Sequence, residues 1–70
     1  MEKFRIIFDY GFEKFKKDFD TLDEAKDFLK KFQPMDFCIA TIFENGKEVD
    51  KYTSKHVGTE HLGYFEFEID

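Results

Sequence analysis

The stretch GFEKFKKDFDTLDEAKDFLKKF, residues 11–32, admits two conformations, and the choice between them decides the fold. Read as one helix, Phe12, Phe15, Phe19, Leu22, Lys26, Leu29 and Phe32 step by three or four residues. They make an apolar stripe broken only at Lys26. Read as a strand running into a helix, the same stretch carries a start signal in its middle. Thr21-Leu22-Asp23-Glu24 fits the S/T-x-x-E capping box, in which the threonine hydroxyl bonds the Glu24 amide and the glutamate reaches back. Asp23 and Glu24 then place negative charge in the first turn, and Lys30 and Lys31 place positive charge in the last, as the helix dipole favours. Asp20 and Thr21 are poor helix-interior residues, so a start signal at this point argues for the strand–helix reading. Pro34 ends the helix by biasing Gln33 toward an extended conformation.

Upstream, KFRIIFDY alternates, with Phe4, Ile6, Phe8 and Tyr10 on one side, and reads as a strand. A turn at Tyr10-Gly11 pairs Asp9 with Phe12 and Ile6 with Phe15. It also brings Phe15 and Phe19 to the face that carries Phe4, Ile6 and Phe8. Lys14, Lys16 and Asp18 take the other face.

Downstream, Asn45-Gly46 lies between two strand-like runs and signals a type I′ hairpin. A two-residue loop there sets Glu44 against Lys47, Ile42 against Val49 and Ile39 against Tyr52. One face then holds Phe37, Ile39, Thr41, Phe43 and Tyr52, and the other Cys38, Ala40, Ile42 and Val49. A strand apolar on both faces is central or covered twice. Residues 54–63 are polar and punctuated by glycine and read as a loop. YFEFEID alternates again, with Phe65, Phe67 and Ile69 inward. The expected fold is therefore α+β: a single two-layer domain, 1–70, with a mainly antiparallel β-β-α-β-β-β sheet and one short helix on one face.

Seventy residues lie near the lower limit for folding on a core alone, but eleven are Phe, and each buried ring removes about 150–250 Å² from water. That density of aromatics excludes a disordered chain despite 39% charged residues. Asn, Gln and Cys occur once each, a bias also met in hyperthermophile proteins. The stretch DFDTLDEAKDFLKKF, residues 18–32, resembles the strand–cap–helix segment of many small α+β domains, the WGR domain among them. The WGR tripeptide itself is absent, so the resemblance implies local folding and no function.

The chemistry-bearing residues are sparse. His56 and His61 are five apart with Glu60 beside the second, and Cys38 lies in an apolar run. No metal-ligand spacing, activated nucleophile or phosphate-cradling glycine loop emerges. The sequence thus points away from an enzyme and implies no cofactor or metal. Net charge is −5. Residues 1–32 hold eight basic and eight acidic residues, and residues 33–70 hold three basic and eight acidic, so the second part carries the whole excess. That balance argues against direct nucleic-acid binding. The lone Cys38 suits a reducing compartment, and no apolar run approaches the ~20 residues of a membrane span, so a cytoplasmic location is expected.

One short helix cannot cover five strands, which leaves apolar sheet surface over. Ile7, Cys38, Ala40, Ile42 and Val49 are the candidates for the uncovered side. The leading expectation is a protein–protein interaction module, a homodimer or a subunit with a protein partner. Its interface would be Cys38, Ala40, Ile42, Val49 and Tyr52. The alternative is an acidic nucleic-acid mimic that binds a basic protein surface through Glu44, Glu48, Asp50, Glu66, Glu68 and Asp70.

Overall fold

The computed structural model describes residues 4–59 and 61–69. Strands β1 (Phe4–Asp9) and β2 (Lys14–Phe19) form a hairpin. Helix α1 (Leu22–Lys31) follows, then a second hairpin of β3 (Ile39–Glu44) and β4 (Lys47–Thr53). These four strands make one antiparallel sheet in the order β2-β1-β3-β4. Two further strands, β5 (Lys55–Gly58) and β6 (Gly63–Glu66), pair in a separate sheet. The α+β class and the strand–helix reading of residues 11–32 hold. The expected single sheet is in fact two, and the segment 54–63, read as a loop, supplies strand β5 and the turn that returns to β6. Gly58, at φ +109°, allows that turn: a Cβ there would lie 2.5 Å from the Leu62 carbonyl oxygen.

The helix starts where its cap signal lies. Thr21 is extended at φ −130°, ψ 159°, and its hydroxyl accepts the Glu24 amide at 3.1 Å. The return contact differs from the expected box, because the Thr21 hydroxyl itself donates to the Glu24 carboxylate at 3.3 Å. Thr21→Ala is expected to cost about 1 kcal/mol and to lower the midpoint of a thermal melt by roughly 4–8 °C. An unchanged melt would show that the cap is dispensable.

The two hairpin registers differ from those drawn from sequence. The first turn centres on Gly11-Phe12, closed by the Tyr10 amide donating to the Glu13 carbonyl at 2.9 Å. Gly11 takes φ +92°, which a turn on Tyr10-Gly11 would have required of a tyrosine. Asp9 therefore opposes Lys14 instead of Phe12, and Phe8 opposes Phe15. The shift is two residues, so every side chain keeps its expected face. In the second hairpin, Asn45 and Gly46 take φ +51° and +88°, as a type I′ turn needs, and Glu44 opposes Lys47 as expected. A bulge between Ile42 and Phe43 then sets Ile42 against Asp50 and Ile39 against Thr53. Val49 is the extra residue, and Tyr52 moves to the face of Ala40.

The core lies on one side of the four-stranded sheet. It comprises Ile6, Phe8, Cys38, Ala40 and Ile42 from the sheet side, Ala25 and Leu29 from α1, and Phe67 from the tail beyond β6. Pairing of β1 with β3 sets Ile6 beside Ile42 and Phe8 beside Ala40, so these residues share one face. The rings of Phe28 and Phe32 pack on Phe8 at centroid distances of 6.0 and 5.0 Å, and Phe67 stacks on Phe32 at 6.4 Å. A helix about 10–12 Å across cannot cover four strands that span roughly 19 Å. The segment around Phe67 covers the rest. Apolar surface expected to need a second molecule is therefore partly covered from within the chain.

Candidate functional site

Three large exposed apolar side chains gather at one end of the molecule, where the β1–β2 turn meets the connection from α1 to β3, while Leu62 is exposed separately in the β5–β6 turn. Phe12 at the turn tip is 77% exposed, Phe15 on edge strand β2 is 54% exposed, and Met35 in the connection is 92% exposed. Local chemistry puts them there. Gly11 turns the chain at φ +92°, and Phe12 follows it, exposed at the tip. Phe32 is extended at φ −81°, ψ 128°, which ends the helix, and the buried Pro34 carries the chain across this end of the sheet. Tyr10 joins the cluster, 6.3 Å from Phe12 and 5.8 Å edge-on from Phe15.

Between the two segments lies a groove of about 290 Å³, walled by Tyr10, Phe12, Phe15, Phe32, Pro34 and Met35, with Glu13 and Asp36 among its lining residues. Glu13 and Asp36 bring two carboxylates to it. Burial raises the Tyr10 phenol above its ordinary value, and Cys38 beside it and the charges of Asp36 and Glu13 push the same way. Such a groove holds an apolar group and favours a cation next to it.

The residues expected at an interface divide between two faces. Cys38, Ala40 and Ile42 are fully buried beneath α1 and Phe67 and cannot form a surface; this corrects their placement on the uncovered side. Tyr52 is half-buried at the edge of the same face, its hydroxyl donating to Asp50 at 2.9 Å. Val49 is exposed at the bulge. Ile7 does lie on the uncovered face, with Ile39, Thr41 and Phe43. The small residues went inward because the rings of Phe28 and Phe32 need room above them. Sequence reasoning passed over Phe12 and Met35. A phenylalanine next to a turn glycine and a methionine next to a proline are both poorly placed for burial, and that signal was available.

The acids expected to form a mimic surface do not form one ridge. Glu44 and Glu48 flank the β3–β4 turn on opposite faces of the sheet. Asp50 is held by Tyr52 and lies 3.9 Å from the Lys26 ammonium. Glu66 lies half-buried on the second sheet, and Glu68 accepts from Lys55 at 2.9 Å. Asp70 lies outside the described residues.

Burial pushes the Cys38 thiol above its ordinary value, and the neighbouring Tyr10 hydroxyl opposes this without offsetting it. A fully buried, protonated thiol packs as a small hydrophobe. His56 packs edge-on against Phe65 at 5.2 Å. Among the described residues no three His, Cys, Asp or Glu side chains converge as a metal centre, and no helix is long and apolar enough to cross a membrane. No protein-family model, no curated protein and no solved structure matches the chain.

Proposed function

We propose that the chain is a small, non-enzymatic, cytoplasmic protein–protein interaction module that self-associates and holds a protein partner at its aromatic end. The observation that carries this reading is the cluster of Phe12, Phe15 and Met35 around an apolar groove. Leaving large apolar side chains in water forgoes about 25 cal/mol for every Å² that a partner could cover. A fold that buries Cys38, Ala40, Ile42 and Phe67 leaves these three outside. The acidic residues Glu13 and Asp36 favour a partner segment with an apolar anchor next to Lys or Arg. Among the described residues, Asp50 and Glu68 are engaged with lysines of the chain itself and Glu44 and Glu48 lie on opposite faces, which counts against the mimic alternative.

The test compares partner capture by the intact chain with capture by Phe12→Ser/Met35→Ser, both of which keep the core unchanged. A stoichiometric partner held by the intact chain should be lost by the double variant and kept by a Glu44→Lys control, which lies away from the aromatic end. Equal capture by all three forms would remove the aromatic end from the reading.

A further inference from the structure

We infer that the uncovered face of the four-stranded sheet is a homodimer interface, closed by a second copy rotated about an axis that runs across the strands. The inference rests on the self-association proposed above and names its surface. Strand register arranges that face in three rows. One end row reads Asp18, Arg5, Phe43, Glu48 from β2 to β4; the middle row reads Lys16, Ile7, Thr41, Lys51; the other end row reads Lys14, Asp9, Ile39, Thr53. Arg5 donates to Asp18 at 2.6 and 3.2 Å, which confirms that row neighbours share the face. Ile7, Ile39, Thr41 and Phe43 are only half-buried in the single chain and form an apolar centre between the charged edges.

The pattern is complementary to itself. A two-fold axis along the middle row lays one end row over the other. Asp18 then meets Lys14 of the second copy, Arg5 meets Asp9, Phe43 meets Ile39, and Ile7 meets its own equivalent. Every charge of the β1–β2 half except Lys16 gains an opposite partner, and each contact occurs twice. Rotation about an axis parallel to the strands fails the same check, because it sets Asp18 over Glu48 and Lys16 over Lys51. In the favoured arrangement only Lys16 and Lys51 face like charge. Both stand on edge strands, where a long side chain can carry its ammonium to solvent. Sheets packed face to face cross at about 30°, which displaces a corner about 10 Å from the centre by roughly 5 Å, within reach of Lys14. The face is small, so the dimer is a weak, concentration-dependent one. The edge of β2 offers no rival route, because Lys14, Lys16 and Lys17 discourage strand-to-strand pairing there.

The test is sedimentation equilibrium of the full chain, of Lys14→Glu, of Asp18→Lys and of the double swap, with folding followed by circular dichroism. The expected result is a dimer dissociating at micromolar concentrations, weakened at least tenfold by either single change and restored to within about threefold by the swap. Restoration cannot arise inside one chain, because in the swap Arg5 still faces a lysine at position 18. Single losses without restoration would overturn the two-fold arrangement. A dimer unaffected by all three variants would overturn the choice of face while leaving self-association standing. A monomer up to about 1 mM would overturn both.

Discussion

Ile42→Asp is expected to unfold the protein. Ile42 is fully buried, beside Ile6 on β1 and opposite Asp50 on β4, on the face covered by α1 and Phe67. An aspartate there removes an apolar side chain and leaves a carboxyl group in an apolar site. The loss should exceed about 4 kcal/mol, at the extreme of what single substitutions do. A chain of this size has about 3.5–10 kcal/mol of stability in all. Far-UV circular dichroism and amide dispersion should therefore collapse together at neutral pH. Had Ile42 lain on the uncovered face, for which it was a candidate, the same change would break an assembly and leave the fold intact. A well-folded Ile42→Asp chain with an ordinary melting transition would contradict the burial described above.

Phe67→Ala is expected to cost about 3–5 kcal/mol, the usual range for removing a large buried ring, and to act unevenly. A two-stranded hairpin is marginal in water by itself. The β5–β6 hairpin joins the rest of the chain at Ser54, whose amide donates to the Cys38 carbonyl at 3.0 Å and whose hydroxyl accepts the Cys38 amide at 2.9 Å. Its far end is held by Phe67 against Phe32. Losing the ring should raise amide exchange across residues 55–66 more than across β1 and β3. Uniform acceleration in both sheets would show that the hairpin opens only with the whole domain.

These two residues mark how much was legible beforehand. Phe67 reads as inward-facing from simple alternation, and it is. Ile42 reads as a strand residue with equal accuracy, but its face was misassigned. Alternation divides Phe37–Phe43 into two apolar sets without saying which set meets the helix. The bulge at Val49 adds to the difficulty: it moves Tyr52 across the sheet, and no residue near it announces an insertion. The surfaces that carry the functional proposals were legible only in part. Lys14, Lys16 and Asp18 were already assigned to one face of β2. Their complement depends on β1 standing between β2 and β3, a neighbour relation absent from any local pattern.

The sequence by itself determined the local turns and caps. Thr21 starts the helix and Asn45-Gly46 reverses the second hairpin because each is satisfied within a few residues, by a side chain on an amide or by a residue that tolerates positive φ. Only the tertiary structure decided strand order, the covered face and the folding back of the tail. Those outcomes depend on distant groups competing for the same apolar surface: Ile6 finding Ile42 across the sheet, two helix rings needing small residues beneath them, and Phe67 filling the width that one helix leaves open.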